Sequence, residues 1–190
     1  MYQRSLRYHL YPSRATEARL LHNLELCRRV YNKLLELKNN AGMGRKQLQA
    51  MLPILKERHP ELNGVNSKVL QMVNHQLHSN ICALAELRRK GRRIGRLRFK
   101  GSNRYRTLNF NQSGFKFDQS GKKLVLSKVG GVNIKLHRPI EGKAKGVLIT
   151  HAGSGKWFAI FQVEEDEPHP FPPSDRAVGI DVGLILPHRL

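Results

Sequence analysis

Asp181 stands between two glycines at the end of an apolar stretch, in AVGIDVGLILPHRL (177–190). A carboxylate delivered by a strand in this way suits Mg²⁺, as two-metal nucleases require. It suits an ordinary strand-closing turn equally well, and a metal centre needs more ligands than one. A second group, Gln71, His75, His78 and Cys82, recurs at i, i+4, i+7 and i+11 and so forms one polar stripe on a helix. Side chains diverge along a single straight helix, and no fourth ligand sits at the spacing a zinc site uses. The stripe fits a face that meets nucleic acid, with Gln71 suited to adenine and the histidines to stacking. It fits a plain solvent face as well. AGSGK (152–156) carries the Gly-Lys of a phosphate-binding loop, but position 150 is Thr150 where a glycine is needed, and Trp157 stands where Ser or Thr is needed. It reads as a hairpin turn.

The strongest chemical signal is RRKGRRIGRLRFKGSNRYR (88–106), which holds ten Lys or Arg and no acid. The run joins two elements instead of hanging from an end, and Phe99 and Tyr105 interrupt it with stacking surfaces. Arginine predominates, and its planar fork suits phosphate contacts and base stacking. The candidate nucleic-acid contacts are therefore Arg88, Arg89, Lys90, Arg92, Arg93, Arg96, Arg98, Lys100, Arg104, Tyr105 and Arg106. Arg28 and Arg29 join them from an upstream helix, and Gln71 from the polar stripe.

Charge supports the same partner class. The chain of 190 residues has a formal net charge of +20. Residues 1–163 carry 32 Lys or Arg against 8 acids, whereas residues 164–190 carry 2 against 6. The first segment is built to sit against a polyanion. Surface binding to a membrane wants an amphipathic helix with exposed aromatics, and the single tryptophan, Trp157, falls in a strand pattern. No run of 18 apolar residues spans a bilayer, and the N-terminal stretch lacks the apolar region of a signal peptide. Cys27 and Cys82 have no CxxC partners. A disulfide framework is not expected, and a reducing cytoplasm fits.

The elements that must position these residues follow from periodicity. YQRSLRYHL (2–10) reads as a strand closed by a turn at 11–13. From 14 to 38, Leu20, Leu21, Leu24, Cys27, Tyr31, Leu34 and Leu35 recur at helical spacing, with Arg28 and Arg29 off the stripe. AGMG (41–44) breaks this helix, and a second runs over 47–58, with Pro53 opening its latter half. Asn66 or Ser67 caps a third helix whose core face is Leu70, Val73, Leu77, Ile81 and Leu84. The period then becomes two: RLRFK, RTLNF, FKFD, KLVLS, VNIKLH, GVLITH and KWFAIFQVE read as strands, with turns at QSGK, KVGG and AGSGK. EEDEPHPFPPSD (164–175) reads as an acidic, proline-rich linker.

The expected fold is α+β. A small β-barrel has a first strand and turn at 1–13, an inserted helical lobe at 14–90 and its remaining strands at 91–163. The linker at 164–175 leads to a further strand within 176–190.

Several stretches, in order, resemble the TnpB family of transposon-encoded proteins, the OrfB-type insertion-sequence transposases related to type V CRISPR effectors. LYPSRATEARLL with CRRVYNKLLEL is similar to the family's opening helix, and VNSKVLQMVNHQL to its next signature helix. GRLRFKGSNRYRTLNF, IKLHRPIEGKAKGVLIT and GSGKWFAIFQVE resemble its barrel strands, and AVGIDVGL the strand that opens its RuvC-like (RNase H-like) nuclease domain. The resemblance implies an RNA-guided DNA endonuclease. A wedge barrel and a helical recognition lobe would grip guide RNA and target DNA, and a RuvC-like domain would cut with Mg²⁺. It assigns Asp181 the first metal position. The glutamate, second aspartate and CxxC zinc ribbon that should follow are not in this sequence, so the resemblance implies a site truncated at its first strand. The expectation is a nucleic-acid-binding portion that binds no metal and cuts no DNA alone, with a separately encoded nuclease portion as one possible partner. The competing readings are a stand-alone nucleic-acid-binding regulator and a basic structural protein of the ribonucleoprotein type.

Overall fold

A computed structural model of the chain describes residues 2–165. The expected linker from 166 onward, the strand at 177–181 and Asp181 lie outside them. The described chain runs β1 (Tyr2–Tyr11), α1 (Arg14–Ala41), α2 (Arg45–Arg58), α3 (Ser67–Arg89), β2 (Thr107–Asn111), β3 (Phe115–Phe117), β4 (Lys123–Leu126), β5 (Gly130–Lys135), β6 (Lys143–His151) and β7 (Trp157–Glu165), with 3₁₀ turns at 60–64 and 112–114. It is an α+β fold with the helices inserted after the first strand.

The seven strands form one antiparallel sheet in the order β2-β6-β7-β1-β5-β4-β3. Its two edge strands, β2 and β3, are consecutive in the chain, separated only by the turn at Gln112–Gly114. The ends of the sheet therefore approach one another and the sheet curls into a nearly closed barrel. Aromatic contacts show the same curvature. Phe117 on β3 stacks on Phe161 of β7 with ring centres 5.5 Å apart, although three strands intervene in the sheet. Alternation decides which side chains fill the interior: Leu6, Tyr8 and Leu10 of β1 and Trp157, Ala159, Phe161 and Val163 of β7 are buried.

Local chemistry sets the helix ends. Ser13 caps α1 by accepting from the Thr16 N–H, and Gly42 ends it at φ 63°, where its N–H reaches the Lys38 carbonyl at 3.1 Å. The Asn66 side chain caps α3 by accepting from the Lys68 N–H at 2.8 Å. Helix α1 then docks on the barrel through Trp157, whose Nε1–H donates to Glu17 at 2.9 Å, and through Arg19, which donates to the Val129 carbonyl at 3.1 Å. Helices and barrel share one continuous apolar core.

Three expectations are corrected here. RLRFK forms no strand: the chain between α3 and β2 is irregular, because its backbone is engaged by a side chain of α1 and not by a neighbouring strand. Leu21 is 42% exposed instead of buried. Finally, β7 continues through Glu164 and Glu165, two residues into the stretch read as linker. Glu164 pairs with Lys145 at 2.5 Å and Glu165 with Arg4 at 3.0 Å, which ties these acids to the sheet. The AGSGK segment is the β6–β7 hairpin turn, with the Ala152 N–H on the Lys156 carbonyl at 2.8 Å and Gly155 at φ 77°.

Both cysteines are free thiols, Cys27 buried and Cys82 exposed. Burial pushes the Cys27 thiol up to about 12, so it stays protonated and unreactive at neutral pH. Alkylation with iodoacetamide should modify Cys82 in the native protein and reach Cys27 only in denaturant. Equal native labelling of both residues would contradict this packing of α1.

Candidate nucleic-acid interface

The basic segment is not a free loop. After α3 ends at Arg89 the chain turns at Gly91 and folds back, so that Arg96 and Leu97 line a cleft with Leu35 and Lys38 of α1 and Leu84 and Arg88 of α3. Leu97 packs against the common core, while Arg92, Arg93, Arg96 and Arg98 remain exposed around it. Three residues on, Asn32 of α1 clamps the backbone of Lys100. The Lys100 N–H donates to Asn32 Oδ1 at 2.7 Å, and Asn32 Nδ2 donates back to the Lys100 carbonyl at 3.0 Å. Arg28 adds a third bond to that carbonyl at 2.8 Å, while its other nitrogens hold Glu25 at 2.7 and 2.6 Å. Those bonds keep the Glu25 carboxyl below its ordinary range. The Lys100 ammonium lies 5.6 Å from the centre of the Tyr31 ring.

Tyr105 is the last anchor. It is 8% exposed, its hydroxyl donates to Gln76 Oε1 at 3.0 Å, and its ring lies 6.2 Å from that of Tyr31. Burial pushes its phenol far above the usual range. The sequence-based expectation of Tyr105 as a stacking surface is therefore overturned: the ring points into the core and fixes the segment to α3. Phe99, at 59% exposure, is the aromatic that faces outward. Arg28 is likewise half-buried and engaged, a clamp more than an open phosphate ligand.

Pinned at Leu97, Lys100 and Tyr105, the segment displays its remaining cations along one course. Arg89 and Lys90 share Glu86 at 2.8 and 3.7 Å, and Arg29 reaches Glu61 at 3.5 Å. Exposed pairs of this kind contribute about 0–1 kcal/mol and yield readily to a phosphate. Arg88, Arg92, Arg93, Arg96, Arg98, Arg104 and Arg106 have no acidic partner within 4.0 Å among the described residues. Arg106 is oriented by its own Nε–H, which donates to the Asn103 carbonyl at 3.0 Å.

Gln71 belongs to a second surface that sequence reasoning did not assemble. The start of α2 and the middle of α3 enclose an open groove of roughly 910 Å³, lined by Arg45, Lys46, Gln47, Gln49, Gln71 and His75. Among the described residues it holds two cations and three amides and no acid. Buried Asn74 fixes its floor, donating to the Arg45 carbonyl at 3.1 Å and to Gln49 at 2.9 Å. The spacing from Gln71 to His75 was legible, whereas the approach of α2 required the tertiary fold. Farther along the stripe, Cys82 Sγ and His78 Nε2 lie 3.5 Å apart. Among the described residues no three His, Cys, Asp or Glu side chains group as a metal site would need.

Comparison with known proteins places this geometry. Residues 1–42 match the helix-turn-helix domain of OrfB proteins of the IS605 type. A protein of Escherichia coli (strain K12), "Putative RNA-guided DNA endonuclease InsQ", is 25% identical over 95% of this chain and 45% of its own length. A Streptomyces pristinaespiralis protein, "Putative RNA-guided DNA endonuclease", is 26% identical over 96% of this chain and 46% of its own length. The chain is thus similar to TnpB/OrfB proteins. It spans about half the length of the relatives it matches. The segment matched as a helix-turn-helix is, in this chain, strand β1 followed by the single helix α1; the turn at 42–44 and α2 come just after the match. No helix among the described residues is long and apolar enough to cross a membrane.

The clamp gives a direct test of how the segment is held. Asn32→Ala removes both bonds to Lys100 and leaves a half-buried N–H unpaired, which should cost about 1–3 kcal/mol of stability. Amide exchange at residues 97–101 should accelerate before that of α1 itself. Unchanged stability and exchange would mean that Leu97 and Tyr105 hold the segment without Asn32.

Proposed function

We propose that this chain is the nucleic-acid-binding portion of an RNA-guided DNA endonuclease of the TnpB type, in which the helical lobe and barrel hold guide RNA and target DNA. The observation that carries the reading is the set of exposed arginines with no acidic partner among the described residues, Arg92, Arg93, Arg96, Arg98, Arg104 and Arg106, on a segment pinned at Leu97, Lys100 and Tyr105. Anchoring matters energetically, since ordering a loop costs roughly 1–2 kcal/mol per residue and here much of that is met before any ligand arrives. The exposed guanidiniums supply phosphate contacts, which position a duplex or strand without reading its sequence. In the groove, Gln71 offers an amide suited to base edges, as a bidentate pair with adenine would require, whereas the Gln47 and Gln49 oxygens already accept from the Gly44 N–H and from Asn74.

Mg²⁺ enters this reading through Asp181, the family's first metal position. That residue lies outside the described residues, and no chemical step is assigned to it. The reading is tested by measuring binding of the chain to RNA and to DNA across a salt series. Steep weakening with salt on both is expected, and salt-independent binding would overturn it. In a chain carrying Gln71→Ala, binding should weaken for a preferred target sequence only. Equal weakening on every sequence would remove the base-reading role of the groove.

A further inference from the structure

The outer face of the barrel carries aromatic side chains where a solvated antiparallel sheet is ordinarily polar. On β1, Arg7, His9 and Tyr11 point outward while Leu6, Tyr8 and Leu10 fill the interior. Phe158 of β7 lies directly across from His9. The Arg7 guanidinium sits 3.7 Å above the Phe158 ring, Phe158 stacks on His9 at 5.2 Å, and His9 meets Tyr11 at 4.3 Å. Four flat groups thus follow one another along β1, with Phe158 of β7 between Arg7 and His9, ending in Tyr11, which is 48% exposed.

Register connects this row to the basic segment. Thr107, the residue after Arg106, pairs with Thr150, Thr150 with Phe158, Phe158 with His9, and His9 with Lys135. Four interstrand steps of about 4.8 Å make this a path of roughly 19 Å from the end of the basic segment to Lys135. No acid stands on it, and Arg7 and Lys135 flank the aromatics. Cross-strand pairing accounts for His9 against Phe158, but it does not account for the open ring of Tyr11 at the end of the row.

We propose that this face is a second nucleic-acid contact, on which an unpaired base of a single strand stacks against Tyr11 while Arg7 and Lys135 meet the adjacent phosphates. The proposal rests on the nucleic-acid reading above and adds to it a surface selective for unpaired strands. Bases in a duplex have their faces occupied by neighbours, so only a single strand can use the row; base–aromatic stacking tolerates any sequence.

The test uses the full chain, a labelled oligo(dT) or oligo(U), and a duplex of equal length. Tyr11→Ala should weaken single-strand binding by roughly 5- to 150-fold, the range for losing one stacked base, and leave duplex affinity and the salt slope unchanged. Tyr11→Trp should retain binding, and its indole emission should fall when the single strand is added, over a constant background from buried Trp157. Loss of affinity in the variant neutralised at Arg92, Arg93, Arg96 and Arg98, with Tyr11→Ala binding like wild type, would overturn this proposal and leave the basic segment's role standing. Equal weakening on both nucleic acids in Tyr11→Ala, or no quenching in Tyr11→Trp, would also overturn it. Absence of salt-dependent binding by the wild type would instead overturn the nucleic-acid reading itself.

Discussion

Replacing Arg92, Arg93, Arg96 and Arg98 together by Gln is expected to flatten the dependence of log K on log salt by roughly three to four units. Each phosphate contact releases condensed counterions and contributes about 0.7 to the slope on a single strand and about 0.9 on a duplex. Four contacts therefore account for roughly 3 to 4 units, provided each guanidinium reaches a phosphate in the complex. Between 50 and 200 mM salt, a fourfold change, wild-type binding should weaken roughly a hundredfold more than that of the variant. The difference should be the same for all sequences, because backbone contacts carry no base information. All four side chains are exposed and none is hydrogen-bonded to the described protein, so the substitutions leave the fold alone. A circular dichroism melt overlaying that of wild type would establish this. An unchanged slope would reduce the segment to a solvated face and remove the main support for the proposed function.

The helices and strands that support this segment were largely legible because their periods are strong. The stripe of Leu20, Leu24, Cys27, Tyr31 and Leu34 on α1 is buried as expected, and so are Leu70, Val73 and Leu77 on α3. What periodicity could not supply was the number of neighbours a helix has. Leu26 and Val30 stand off the expected stripe, yet both are buried, because Leu55 of α2 and Leu62 of the following turn pack on that flank. A one-sided amphipathic reading assigns one buried face, and α1 has two. For the same reason Leu21, counted inside, lies outside.

The candidate site shows the same division. The density of arginine in 88–106 is a local property and could be read directly. Which aromatic faces solvent is a tertiary one: Tyr105 turns inward to meet Gln76 and Tyr31, while Phe99 stays out. The alternation of RLRFK suggested a strand, but the partner of its backbone is the Asn32 amide, 68 residues earlier in the chain. No pattern within the segment encodes that contact. The row from Thr107 to Lys135 is hidden in the sequence as well, since its members come from five strands brought together only by register.

Phe161→Ala should lower stability by about 3–5 kcal/mol, the range for deleting a fully buried aromatic side chain. The site explains why the loss should fall in the upper part of that range. Phe161 has no exposed surface and is the common neighbour of Tyr8 on β1 and of Phe115 and Phe117 on β3, at 5.8, 5.8 and 5.5 Å between ring centres. Among the described residues strand β3 hydrogen-bonds to β4 alone, so its hold on the rest of the barrel depends on this aromatic cluster. Removing the ring leaves a cavity that β3 cannot fill without breaking its pairing. At this chain length each kcal/mol shifts the melting temperature by about 2–4 °C, so a drop of roughly 6–20 °C is expected. Gln162→Ala, the exposed neighbour on the same strand, should stay within about 0.5 kcal/mol of wild type. Hydrogen exchange should show the amides of Phe115–Phe117 and Lys123–Leu126 opening before those of β1 and β7, because the cut falls on one seam of the barrel. Equal melting of the two variants, or simultaneous opening of every strand, would mean that the barrel is closed by the turn at 112–114 and not by its aromatic interior.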